Sequence, residues 1–278
     1  MHIKKSGWLL QLLQNSSAFC YEETMSYYIT IFDRQIPLYG ICFYAGIFLA
    51  ATLAMLLSQK RGLPRYEITY SAVYTMTGSL IGSKLLFILV SIKDIIRYSI
   101  PILAVIKGGF VFYGGLIGGL LGLLIYTKQF KLSIVPFLDV YATVLPLGHA
   151  IGRVGCFFGG CCYGMEYDGV GHIIYHESVG NTPLGVPLLP IQLIEAFCLL
   201  LLFLVLLILL LRGARLGIPT TCYALSYSVL RFILEFFRGD TERGRFGMLS
   251  TSQWVSLAVF LAAVSLLLLR LSRRKKKK

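Results

Sequence analysis

Apolar runs of about twenty residues recur along this chain, and nothing else limits its fold as strongly. Crossing a bilayer core of about 30 Å takes roughly 20 helical residues. Hydrocarbon offers no hydrogen bonds, so each such segment must satisfy its own backbone, which a helix does. The runs lie at about Leu38–Leu57, Ile68–Ile92, Pro101–Tyr126, Leu132–Gly160, Pro190–Leu211, Ile218–Phe237 and Met248–Leu271. They predict an all-α integral membrane protein with seven transmembrane helices. Pro136, Asp139, Pro146 and several glycines interrupt the fourth run. They predict a bent or partly re-entrant segment, enclosed by protein or beside a water-filled cavity.

Basic residues set the orientation. The stretch 58–65 that closes span one and the links after spans three, five and seven carry Lys or Arg with no acidic residue, whereas the loop 161–189 carries neither Lys nor Arg. The positive-inside rule then places the N-terminus outside and the C-terminus in the cytoplasm. Residues 1–37 read as an amphipathic arm lying on the outer membrane face. Residues 38–271 form the seven-span domain, with 161–189 as its outer loop, and 272–278 form a cytoplasmic basic tail. The net charge of +13 owes much to that tail, whose natural partner is an anionic leaflet. Nucleic acid is not an expected partner.

Within the fourth run lies Gly148-His-Ala-Ile-Gly-Arg-Val-Gly-Cys-Phe-Phe-Gly-Gly-Cys-Cys-Tyr-Gly164. Arg153 stands deep in this apolar stretch among six glycines. A guanidinium at the centre of a membrane helix costs about 2.5–3.5 kcal/mol on insertion scales. Glycines beside it let backbone approach a bound anion and let helices pack closely. The combination points to a lipid phosphate.

A second charged cluster is Arg231, Glu235 and Arg238, on one face of a helix, where Glu235 can pair with either arginine. Two embedded arginines can clamp a phosphodiester with forked hydrogen bonds. The bland alternative is an ion cluster at a span end with snorkelling arginines. Gln192 and Glu195 share a face at the start of the fifth span, and helix-start polarity is their plain explanation. Tyr39 and Tyr113 suit interfacial aromatics, although Gly114 and Gly115 leave the Tyr113 hydroxyl open to a ligand. The spacing of Cys156, Cys161 and Cys162 matches no standard zinc pattern, and adjacent cysteines seldom ligate one ion well. No metal is expected. Cys161 or Cys162 can enter a disulfide if it faces outside, and Cys156 reads as a small packing residue.

Gly152-Arg-Val-Gly-Cys-Phe-Phe-Gly-Gly-Cys-Cys-Tyr-Gly164 resembles the G-R-x-G-N-F-x-N-G-E-x-x-G signature of the prolipoprotein diacylglyceryl transferase family. Lys107-Gly-Gly-Phe-Val-Phe-Tyr-Gly-Gly-Leu-Ile-Gly-Gly119 is similar to the family's Gly-Gly…His-Gly-Gly-x-x-Gly block, and Pro190-Ile-Gln-Leu-Ile-Glu195 to its H-P-S-Q-L-Y-E. Arg231-Phe-Ile-Leu-Glu-Phe-Phe-Arg238 matches R-F-x-x-E-x-x-R. The resemblance implies transfer of a diacylglyceryl group from phosphatidylglycerol to the lipobox cysteine thiol in the signal peptide of a prolipoprotein, with release of glycerol 1-phosphate. It implies a multi-pass protein of the cell membrane whose site opens toward the outer leaflet, and no cofactor. Arg153, Arg231, Tyr113 and Glu235 become the expected catalytic residues. Arg153, Arg231, Arg238, Tyr39, Gly114, Gly115, Gly164, Gln192 and Glu195 become the expected substrate-binding set.

The departures concern proton handling. Tyr113 stands for the family's His, Cys156 for its Asn and Cys161 for its Glu, and the fifth-span motif lacks His and Ser. A phenol gives up its proton far less readily than an imidazolium. The same reaction with a different base is the leading expectation. The alternatives are a paralogue that modifies another acceptor and a non-catalytic phospholipid-binding protein.

Overall fold

The computed structural model describes residues 28–31, 34–97, 101, 105, 109–240 and 245–275. Most of the expected N-terminal arm, Lys107, and residues 241–244 and 276–278 lie outside this set. Among the described residues seven α-helices follow one another. They are α1 (Leu38–Ser58), α2 (Arg65–Arg97), α3 (Phe112–Gln129), α4 (Ile134–Gly159), α5 (Ile191–Leu211), α6 (Ile218–Leu234) and α7 (Thr251–Lys275). Three short antiparallel pairs accompany them: β1 (Tyr28–Ile31) with β2 (Arg34–Pro37), β3 (Ile173–Ile174) with β4 (Pro187–Leu188), and β5 (Arg245–Phe246) with β6 (Leu249–Ser250). The hairpins are short, and the architecture is all-helical as expected. The described end of the N-terminal arm is extended rather than helical, with Tyr28 paired to Pro37. At the other end α7 runs on through Lys275, four residues into the expected tail.

Five of the helices, α1, α2, α4, α5 and α7, are long and apolar enough to cross a membrane. The other two fall short for different reasons. α3 begins only at Phe112, because Val111 is extended, and it ends in Lys128 and Gln129. α6 has 17 residues and gives way to a 3-10 turn, Glu235–Phe237. The fourth run is one unbroken helix with Pro146 inside it, so the expected re-entrant segment is not formed. A proline within a helix removes a single backbone donor, and neighbouring helices can tolerate that in a membrane protein.

The chain divides into two compact units, Met1–Ala51 with Ala142–Leu209 and Pro219–Lys278, and Thr52–Tyr141 with Leu210–Ile218. In the second unit α2 and α3 meet along glycines. A Cβ on Gly78 would stand 2.3 Å from the Gly118 carbonyl oxygen, and one on Gly82 2.3 Å from that of Gly114. A Cβ on Gly122 would stand 2.2 Å from the Tyr74 oxygen. Such backbone-to-backbone approach is how membrane helices gain contact without a hydrophobic driving force. The unit is tied by a buried ion pair, Arg61 Nη2 to Asp139 Oδ2 at 3.2 Å. Asp139 also accepts from the Gly217 amide at 2.8 Å, and Arg61 donates to the Ala214 carbonyl at 2.6 Å.

In the first unit the glycines of α4 admit α1: a Cβ on Gly46 would stand 2.8 Å from the Gly148 oxygen. Ala150 of α4 packs with Ala196 and Leu199 of α5, flanked by Val154 and Tyr227. The loop 161–189 is a folded element, not a tether. Tyr175 and Leu188 form its small core with Tyr163, Ile173 and Val186, and the Tyr175 hydroxyl donates to the Phe157 carbonyl at 3.0 Å. This fastens the loop to the end of α4, beside Arg153.

Candidate active site

Three segments of the first unit deliver charge to one buried place. α4 carries His149, Arg153 and Cys156, separated by four and three residues and so on one helix face. α5 brings Gln192 and Glu195, and the end of α6 with its 3-10 turn brings Arg231, Glu235 and Arg238. Glu195 is the hub and only 1% exposed. Its Oε1 lies 3.1 Å from Arg153 Nη2 and 3.7 Å from His149 Nε2. Its Oε2 lies 3.8 Å from Arg231 Nη1 and 4.0 Å from Arg238 Nη1.

Two further carboxylates complete the charge balance. Glu235 Oε2 is 2.7 Å from Arg231 Nη2, the helical pairing expected from their spacing. That contact has ion-pair length without the alignment of a hydrogen bond. Arg238 behaves otherwise: its Nε and Nη2 both donate to Asp240, at 2.8 Å each. Three guanidinium groups therefore meet three carboxylates, Glu195, Glu235 and Asp240. Burial works against the Arg238 charge, but the Asp240 hydrogen bonds and charge outweigh it and hold that guanidinium above its usual pKa.

The cluster is neutral overall and yet poorly hydrogen-bonded. Arg153 Nε, Arg231 Nη1 and Arg238 Nη1 are buried and donate to no protein group. Buried donors of charged groups are costly to leave unpaired. Three such donors around one place fit an anion with several acceptor oxygens, and a phosphate is the planar-fork partner that arginine suits best. An apolar cleft of about 180 Å³ lies between α6 and α7, lined by Val229, Phe232, Ile233, Leu257 and Phe260.

The loop after α4 is held against the arginines. Gly164 pairs with Arg238 in an antiparallel bridge, Met165 N donates to the Phe237 carbonyl at 2.9 Å, and Gly239 N to Tyr163 at 3.1 Å. A Cβ on Gly164 would stand 2.3 Å from the Leu189 oxygen, so this glycine lets the loop pack against Leu189. Gln192 donates to the Cys161 carbonyl at 2.9 Å. The Sγ atoms of Cys156, Cys161 and Cys162 lie within 4.8 Å of one another, and none of the three is in a disulfide. Hydrogen bonds from Cys156 and Cys161 lower the Cys162 pKa. Burial opposes this, and the charges of Arg153 and Arg238 add to the lowering. Sharing with Cys156 and Cys162 raises that of Cys161.

Of the residues expected from the sequence, the structure gathers Arg153, Arg231, Glu235, Arg238 and Glu195 in one cluster. Gln192 braces the adjoining turn. Tyr39 stands at the start of α1 against Gly155 and Gly159 of α4 and is exposed. Tyr113, Gly114 and Gly115 belong to the second unit. There Gly114 and Gly115 are buried against Gly82 and Ser79 of α2, so helix packing accounts for both. Asp240, Ser252 and His149 were not singled out for the cluster. Arg231 Nη2 donates to Ser252 Oγ at 3.3 Å. The available signals were the four-residue spacing of His149 to Arg153 and the acid two positions after Arg238.

Comparison with known proteins shows the family. The profile of the prolipoprotein diacylglyceryl transferase family matches residues 26–269. A protein of Clostridium tetani named phosphatidylglycerol–prolipoprotein diacylglyceryl transferase is 34% identical over 234 residues, 84% of this chain and 93% of the relative. Phosphatidylglycerol–prolipoprotein diacylglyceryl transferase 2 of Clostridium perfringens is 32% identical over 237 residues, 85% and 91% of the two chains. The Geobacter sulfurreducens protein of the same name is 30% identical over 243 residues, 85% and 91%. With its arginines and framework glycines in place, the chain belongs to the prolipoprotein diacylglyceryl transferase family.

Proposed function

We propose that this protein transfers the diacylglyceryl group of phosphatidylglycerol to the lipobox cysteine of prolipoproteins. The acceptor sulfur, as thiolate, attacks the glyceryl carbon bound to the phosphate oxygen. The carbon–sulfur bond forms, the carbon–oxygen bond breaks, and glycerol 1-phosphate leaves with the electron pair. Negative charge moves onto the phosphate as the bond breaks. Arg153, Arg231 and Arg238 stabilise it, and donors fixed in a water-poor site do so without reorganising. Glu195 holds the three arginines together, and Glu235 and Asp240 aim Arg231 and Arg238. The cleft between α6 and α7 takes part of an acyl chain. The acceptor thiol gives up its proton to solvent and enters the site as the thiolate.

The observation that carries this reading is the convergence of three buried guanidinium groups on Glu195 at ion-pair distance, with Arg153 Nε, Arg231 Nη1 and Arg238 Nη1 making no hydrogen bond. The topology proposed with it has seven spans, the N-terminus outside, and a site that opens to the outer leaflet. Charge asymmetry of the links supports it. The test combines purified protein, phosphatidylglycerol labelled in its headgroup glycerol, and a lipobox peptide. Release of labelled glycerol phosphate that requires the peptide thiol is the expected result. No release with the Cys peptide, or equal release with a Cys→Ser peptide, would overturn the proposal.

A further inference from the structure

The three cysteines at the end of α4 are used by neither the phosphate cluster nor the proton transfer. Their arrangement is nonetheless specific. All three Sγ atoms lie within 4.8 Å of one another, although Cys161 and Cys162 are consecutive and consecutive side chains normally diverge. The backbone at Cys162 resolves this. Its φ of 56° is in the left-handed region, which a residue with a Cβ seldom occupies. That turn swings its thiol to the side of Cys156 and Cys161.

The turn is built, not loose. Cys161 N donates to the Cys156 carbonyl at 3.1 Å, and Gly180 N to that of Gly159 at 3.0 Å. Ser178 and Thr182 both donate to the Gly160 carbonyl, and Gln192 to that of Cys161. A strained backbone that persists because its surroundings over-determine it is a mark of function.

We propose that Cys156, Cys161 and Cys162 form a three-thiolate site for a thiophilic d10 metal ion of the zinc and cadmium class. Metal–sulfur bonds of about 2.3 Å set trigonal sulfurs about 4.0 Å apart, so closure from 4.8 Å needs a contraction of under about 1 Å. Three thiols lose three protons to solvent as three metal–sulfur bonds form. A divalent ion with three thiolates carries one negative charge. The site goes beyond lipid transfer and does not rest on it.

The probe is cadmium alone, added to reduced, metal-free full-length protein in detergent without oxygen. Binding is read by the ultraviolet thiolate-to-cadmium charge-transfer band and by elemental analysis after dialysis. The expected result is one cadmium per chain. Each of Cys156→Ser, Cys161→Ser and Cys162→Ser weakens binding by about 100-fold or more, since losing a ligand exceeds the 10–100-fold typical of an outer-shell partner. Cys42→Ser, Cys198→Ser and Cys222→Ser leave it intact. A readout that needs no variant is alkylation mapped by mass spectrometry: cadmium protects Cys156, Cys161 and Cys162 together. Absence of the band at equimolar cadmium, binding that survives the three substitutions, or labelling of those cysteines despite bound cadmium would each overturn the proposal.

Discussion

Replacing Glu195 by Gln keeps the shape of the hub and removes its charge. Among the described residues Arg153 has one carboxylate within 4 Å, Glu195 at 3.1 Å. Arg231 and Arg238 keep closer partners in Glu235 and Asp240, at 2.7 and 2.8 Å. The substitution therefore leaves one buried guanidinium, Arg153, uncompensated. At 3.1 Å and an effective dielectric of 20 the lost attraction is about 5 kcal/mol. Removing one partner of a buried pair costs about 3–5 kcal/mol, which lowers Tm by roughly 6 °C or more. The assay is thermal unfolding of purified protein in detergent, with and without phosphatidylglycerol. Glu195→Gln should melt well below wild type, and Glu235→Gln should fall less, because Arg231 retains Glu195 at 3.8 Å. Phosphatidylglycerol should then stabilise Glu195→Gln more than wild type, since its phosphate replaces the missing charge and a ligand that binds only the folded state raises its stability. A Glu195→Gln protein that melts with wild type, or gains no more from the lipid, would refute the reasoning.

Further outcomes can be checked in parallel. Arg153→Ala and Arg231→Ala should each lower transfer by about 100-fold or more, with the protein still inserted in the membrane, as measured by the labelled-headgroup assay. Asp240→Asn frees the Arg238 fork and should reduce turnover less than Arg238→Ala does in the same assay. Gly118→Leu meets the Gly78 carbonyl oxygen, 2.1 Å from the first added carbon. It should separate α2 from α3 at a cost of about 1–3 kcal/mol or more, seen as a lower Tm. Asp139→Ala strands Arg61 and should cost about 3–5 kcal/mol by the same measurement.

Local periodicity carried most of the fold. Each apolar run holds one of the α-helices among the described residues, five of them long and apolar enough to cross a membrane, and the spacing of Arg231 to Glu235 gave their pairing directly. What the sequence leaves open depends on contacts between distant segments. Glu195 resembles ordinary helix-start polarity in the sequence, and only the convergence of α4, α5 and α6 makes it a hub. Arg238 chose Asp240, past the helix end, over the helical neighbour Glu235. Arg61 reads as a basic flank and is instead buried on Asp139, 78 residues away. Gly114 and Gly115 invited a ligand by adjacency to Tyr113, while the facing glycines of α2, which make them packing residues, lie some thirty positions earlier. The three-cysteine convergence depends on one left-handed residue, Cys162, which no composition or spacing rule signals.

The central claim is that the arginine cluster holds a lipid phosphate. Lipid retention by the intact protein, followed by native mass spectrometry, tests it most directly. Wild type should keep one phosphatidylglycerol, and Arg153→Ala and Arg231→Ala should each lose it while still entering the membrane and running as folded protein. Retention of phosphatidylglycerol by both variants at the wild-type level would contradict the account.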